Sequence, residues 1–151
     1  KKEGNLGAAE KAYTRAVELD ENCLNAYSNR GRLYLNLKRF DDAIADFNEA
    51  IRINPLHAKS YLGRGRAYFL KGDSTKAIAD FSLVAEGELS EYFSDEIRAE
   101  AFFWRGEVGY RWGNREQALQ DYRRAVELNP EIYEKLPEEI QVLVMPYIYQ
   151  P

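Results

Sequence analysis

The stretch YSNRGRLY, Tyr27 to Tyr34, returns as YLGRGRAY, Tyr61 to Tyr68, and more loosely as FFWRGEVGY, Phe102 to Tyr110. Each copy places an Arg-Gly pair three residues after an aromatic. Two readings compete. The pair is either a grip for an anionic ligand or one mark of a structural repeat. Glycine spacing favours the repeat: Gly31 to Gly65 is a step of 34, and Ala9, Ala43 and Ala77 keep the same step. The next step is 41 for both markers, Gly65 to Gly106 and Ala77 to Ala118. Two independent markers shifted by seven residues imply one insert between otherwise intact units, and such a period marks stacked supersecondary units.

The units are helical. In DDAIADFNEAIRINP, Asp41 to Pro55, residues Ala43, Ile44, Phe47, Ala50, Ile51 and Ile53 form one broad apolar stripe, the pattern of an amphipathic helix. No sustained period of two is bounded by turn residues, so the chain reads as all-α. Its 151 residues suffice to bury a core. A net charge of −4 disfavours nucleic acid, whose phosphates require a basic face. No apolar run approaches a membrane span, and no signal-peptide pattern is visible. One cysteine, Cys23, permits no internal disulfide and leaves the compartment open, with the cytoplasm as the favoured expectation.

At these positions the chain resembles the tetratricopeptide repeat, whose pattern is an aromatic, Leu-Gly, Tyr, then Ala-x3-aromatic and a closing Pro. The first full unit carries Tyr27, Gly31, Tyr34, Ala43, Phe47, Ala50 and Pro55. The second carries Tyr61, Gly65, Tyr68, Ala77 and Phe81. The third carries Phe102, Gly106, Ala118, Tyr122, Ala125 and Pro130, with Gly109 in place of the second aromatic. Ala9, Tyr13 and Ala16 match only the second helix of a further unit. The resemblance implies a right-handed superhelical solenoid of helix-turn-helix repeats. The expected organisation is a truncated repeat over 1–22, repeats over 23–57, 58–91 and 99–132, an insert at 92–98, and a capping helix and tail over 133–151.

Arg30, Arg64 and Arg105 each precede Asp46, Asp80 and Asp121 by sixteen residues. The orphan half-unit has no such arginine and carries Ala12 at the Asp position. This co-occurrence predicts ion pairs within each unit; an anionic ligand held by the arginines is the rival. The insert reads as a longer loop plus an extra turn on the next helix, with Ser94 as N-cap, or as a protrusion presenting Tyr92 and Phe93. After Pro130, a short helix from about Pro137 to Met145 is expected, with Leu136, Ile140 and Leu143 inward and PYIYQP extended behind it. It covers the last unit or, on a second reading, binds a partner. Lys1 to Leu6 read as the tail of a missing first helix, leaving an unpaired apolar edge on the helix from Leu6 to Leu19.

No nucleophile-base constellation, metal cluster, cofactor motif or phosphate loop is present in the sequence, so neither catalysis nor a cofactor nor a metal is expected. The lone histidine, His57, reads as a solvated turn residue, and Cys23 as a small residue opening a helix. By resemblance, partners bind along the concave groove lined by first helices. The groove positions are Asn25, Asn29 and Arg32; then Lys59, Leu62, Gly63, Arg66 and Phe69; then Phe103, Trp104, Glu107 and Tyr110. That series runs from polar and basic to aromatic and acidic. Some members of the family clamp the C-terminal carboxylate of heat-shock chaperones; Asn29 and Lys59 match that motif, but Gly63 stands where an arginine is needed. The leading expectation is an adaptor holding a peptide or extended protein segment in the groove. Self-association through the truncated N-terminal edge, a carboxylate clamp and a secretion-chaperone role are the alternatives.

Overall fold

The computed structural model describes residues 2–148, with side chains from 6 to 145. Every regular element among them is helical: α1 (Lys2–Leu19), α2 (Leu24–Asn36), α3 (Phe40–Ile53), α4 (Ala58–Lys71), α5 (Ser74–Ala85), α6 (Asp95–Arg111), α7 (Arg115–Leu128) and α8 (Glu138–Ile148), with 3-10 turns at Ser90–Tyr92 and Pro130–Lys135. The all-α, helix-turn-helix repeat class is what the structure shows. Two compact units divide it, Lys1–Asp73 and Ser74–Pro151.

In the first unit α1 packs on α2, α2 on α3, and α4 on both α3 and α2. Its core gathers Tyr34, Leu35, Ala43, Phe47 and Ala67, with Phe40 and Ile44 against them. Phe47, only 2% exposed, holds it together. A Cβ on Gly31 of α2 would meet its ring at 3.0 Å, and one on Gly63 of α4 at 2.3 Å. Glycine at both places lets two helices close on a single phenyl ring. Gly63 therefore faces the Phe47 ring, whereas the repeat register expects it on the binding face. Leu62 and Phe69 are also buried, at 4% and 6%, because α4 turns most of its circumference away from solvent.

In the second unit α6 packs between α5 and α7, and the 3-10 turn and α8 close on α7. Tyr122 takes the part of Phe47: it is fully buried, and a Cβ on Gly106 would approach its ring to 2.8 Å. The insert becomes the 3-10 turn and a longer α6, 17 residues against 13 in α2 and 14 in α4. Ser94 occupies the N-cap backbone position, φ −66° and ψ 159°. It makes no side-chain cap bond, but its hydroxyl beside the Glu96 carboxyl holds that group below the usual carboxylate range. Tyr92 is exposed and Phe93 half-buried.

The ends differ from expectation. α1 starts at Lys2, so residues 2–5 extend this helix instead of closing an earlier one. α8 runs on through Pro146 to Ile148, although proline there has no N–H to donate to the preceding turn. Tyr149 to Pro151 lie outside the described residues. Val144 is buried at 1% while Leu143 is 50% exposed. The helical phase restarts after Pro137, and the inward set becomes Leu136, Ile140 and Val144 at four-residue steps.

The tight turns after α2, α4 and α6 close with the same bond, from Arg39 N to Tyr34 O (2.9 Å), Asp73 N to Tyr68 O (2.8 Å) and Asn114 N to Gly109 O (2.9 Å). That closure needs a left-handed residue, supplied by Gly72 (φ 97°), Gly113 (φ 83°) and, against the rule, Lys38 (φ 59°). A side chain there costs about 1–2 kcal/mol, partly offset by the chain entropy that glycine would lose. Lys38→Gly is therefore expected to stabilise the first unit by roughly 0.5–1 kcal/mol in urea unfolding; no gain would show that Lys38 is not strained.

Candidate functional site

Arg30 is bidentate on Asp46, Nε to Oδ2 at 2.7 Å and Nη2 to Oδ1 at 2.8 Å, with the two side chains 14% and 7% exposed. The bond to Asp46 raises the Arg30 pKa above its ordinary value. Arg105 repeats the geometry on Asp121, at 2.9 and 2.7 Å. Burial works to lower its pKa, but bonds to Asp121 and Glu86 hold it above the usual arginine range. Its remaining nitrogen reaches Ser82 Oγ (2.9 Å) and Glu86 Oε1 (2.5 Å). Four of its five N–H donors are thus committed to protein acceptors.

A further set of partners lies outside the expected ion pairs. Arg30 donates to Thr14 on α1 (3.2 Å), Arg64 to Asn48 on α3 (2.7 Å) and Arg105 to Ser82 on α5. Thr14, Asn48 and Ser82 are 34 apart, so their signal lay in the period. Each arginine ties its own helix to the one before it, and Arg30 and Arg105 tie it to the one after as well.

The groove positions divide by unit. In the first, Asn25, Arg32 and Lys59 are exposed, and Asn29 and Arg66 half-buried. Arg32 donates to Asn29 Oδ1 at 3.2 Å. Their character is polar and basic. In the second, α6 turns Glu96, Glu100, Phe103 and Trp104 toward Asn129, Ile132 and Lys135, enclosing a cavity of about 310 Å³. Phe103 meets Trp104 edge-to-face, with centroids 5.4 Å apart, and tilts against Tyr122 at 6.1 Å. Trp104 Nε1 points at Glu100 Oε1, 3.4 Å away.

Glu107 and Tyr110 are tied into the scaffold. Glu107 accepts from Tyr122 OH (2.7 Å), and burial together with this bond pushes the phenol well above its ordinary pKa. Tyr110 OH donates to Glu139 Oε1 of α8 (2.5 Å). The repeat register expects both as partner contacts in the groove; here they also hold α6 to its neighbours.

His57 is not a solvated turn residue. It stands at the N-cap of α4, half-buried, with Nδ1 2.8 Å from the hydroxyl of fully buried Ser60. Burial holds its pKa below the usual value. Among the described residues no group of three or more His, Cys, Asp or Glu side chains is placed to hold a metal ion.

Comparison with known proteins agrees with this geometry. Family models described as tetratricopeptide repeat match residues 2–57 and 29–91, and again 99–132. The chain belongs to the tetratricopeptide-repeat family. It is 33% identical over 104 residues to heat shock protein STI1 of Saccharomyces cerevisiae, covering 64% of this chain and 18% of that protein. It is 33% identical over 91 residues to human DnaJ homolog subfamily C member 7, covering 58% and 18%. The chain thus spans less than a fifth of the length of these curated relatives. Among solved structures it is similar to MamA (TM-score 0.75, 20% identity, 95% of this chain and 78% of that one). It is also similar to TTC0263, a thermophilic repeat protein of Thermus thermophilus (TM-score 0.71, 22% identity, 99% and 76%). These structural likenesses support the fold.

Proposed function

We propose that the chain is a protein-binding adaptor, without catalytic activity, that holds an extended segment of a partner along the first helices of its repeats. The observation that carries this is the cavity on α6. Phe103 and Trp104 wall a space of about 310 Å³, edged by Glu96 and Glu100, on the helix where the repeat register places partner contacts. Such a space suits an apolar or aromatic anchor with a basic neighbour. Aromatic residues carry much of the binding energy in protein interfaces. In the first unit, Asn25, Arg32 and Lys59 suit acidic groups.

Similarity to a heat shock protein and a DnaJ homolog raises the chaperone-clamp reading. An arginine at position 63 is what that motif requires, and a side chain there would enter the Phe47 ring. A generic adaptor therefore fits better than a carboxylate clamp. Self-association is the second reading, favoured by the exposed apolar side chains of Leu6 and Leu19 on α1.

The test is capture from the source lysate with the wild-type chain beside Lys59→Glu/Phe103→Ala. A partner held by wild type and lost by a folded variant supports the groove. The same partner on both baits removes it. A mass that rises with concentration, with no partner held, transfers the case to self-association.

A further inference from the structure

A second cavity, of about 540 Å³, lies in the same unit among α5, α6 and α7, apart from the proposed groove. Its origin is legible from the other unit. Gly31 to Gly106 and Ala43 to Ala118 are both 75 residues apart, and Ala9 to Ala77 is 68. By these steps Tyr34 corresponds to Gly109, Arg39 to Asn114, Asp42 to Gln117 and Glu10 to Ile78. In the first unit the place is full. Tyr34 is 8% exposed, and the Arg39 guanidinium stands 4.3 Å from its ring centroid and bonds Glu10 at 2.8 Å. In the second unit the ring is absent, and the charged residues that enclosed it are replaced by Ile78, Asn114 and Gln117, all of which line the cavity.

Gly109 is not demanded by packing. A Cβ there would sit 3.4 Å from Ala118 Cβ and 3.5 Å from Asn114 O, ordinary contact, whereas one on Gly106 would collide with Tyr122. Around the vacancy Trp112 and Ile78 are 64% and 40% exposed at the mouth, and Val108 forms apolar floor.

We infer that this vacancy is a docking site for an aromatic side chain, tyrosine foremost, carried on a peptide segment of a partner protein. The repeat itself sets the shape, since the equivalent place in the first unit holds a tyrosine ring. An apolar cavity of about 150 Å³ already accepts benzene, and this one has room for a ring and the backbone that bears it. Charge agrees. Arg105 is committed to Asp121, Ser82 and Glu86, and the lining holds two carboxylates against one guanidinium. That balance rejects an anion and accepts a neutral ring with a hydroxyl to donate. Ser74, also in the lining, has a hydroxyl with no hydrogen-bond partner among the described residues.

The test uses p-cresol, the tyrosine side chain as a free molecule, and a displayed random-peptide library. On the wild-type chain, p-cresol is expected to shift the Ile78 methyl and Trp112 indole resonances and leave those of Phe103 and Trp104 in place. Gly109→Tyr fills the vacancy from within and is expected to weaken this response roughly tenfold or more. Ile78→Glu, which charges the mouth without touching the floor, is expected to weaken it too and serves if the first variant misfolds. Peptides selected on wild type and depleted on Gly109→Tyr should share one aromatic position. Three results overturn the inference: no shift at Ile78 and Trp112, equal response in both variants, or p-cresol binding with no aromatic position among the selected peptides.

Discussion

Arg105→Met is expected to cost the second unit about 3–5 kcal/mol, the range for leaving a buried charge without its partner. The Asp121 side chain is 3% exposed. With the guanidinium gone, the hydrogen bond left to its carboxylate among the described residues comes from Gln117 Nε2, at 3.5 Å. A loss of that size is a large share of the roughly 5–15 kcal/mol that holds a typical domain folded. Both tryptophans, Trp104 and Trp112, lie in the second unit, so their fluorescence in urea reports on it directly. The double variant Arg105→Met/Asp121→Leu should recover most of the loss, since exchanging both members of a buried pair for apolar groups is often near neutral. If the single variant loses less than about 1 kcal/mol, the range of an exposed pair, Arg105 is not a structural staple.

The second large effect is on Phe47. Phe47→Ala should cost the first unit about 3–5 kcal/mol, through lost apolar contact and the cavity left behind. Gly63→Ala, which pushes a methyl into the same ring, should cost about 1–3 kcal/mol by overpacking. The two are coupled through one contact. Gly63→Ala placed on Phe47→Leu should cost clearly less than on wild type, because the smaller side chain leaves room. Hydrogen exchange of α2 and α3 amides reads out the first unit, with tryptophan fluorescence as the control on the second. Additive losses within about 0.5 kcal/mol would mean that Phe47 and Gly63 do not press on one another.

The period of 34 residues made the helices, their pairing and the arginine–aspartate contacts legible, because each is a one-dimensional regularity. Arg30 with Asp46 and Arg105 with Asp121 follow from spacing alone once the helices fold back. Gly63 did not, since the crossing of α4 over α3 decides whether that position meets solvent or Phe47. Leu62 and Phe69 fall in the groove by register yet are buried, for the same reason: register gives an angle around the helix, not how much of the circumference neighbours cover. At the C-terminus the prolines reset the helical phase, so Val144 took the place expected for Leu143. Register puts Phe103 and Trp104 on one stretch of α6, where both line the same cavity. The bonds of Glu107 to Tyr122 and Tyr110 to Glu139 are not legible from register, because they depend on where side-chain tips reach.

Arg30 finds Thr14 sixteen residues back, whereas Arg105 finds Ser82 twenty-three residues back. The same clasp closes over two different lengths of intervening chain. What the architecture conserves is the fit between neighbouring helices, and the thread between them is free to vary. The turn between α5 and α6 is thus a splice point, with seven more residues between Ser82 and Arg105 than between Thr14 and Arg30. Doubling the length of a flexible loop costs only about 0.6 kcal/mol. A peptide tag or a whole guest module inserted between Gly87 and Ser94 would be carried as cargo by a frame that closes around it.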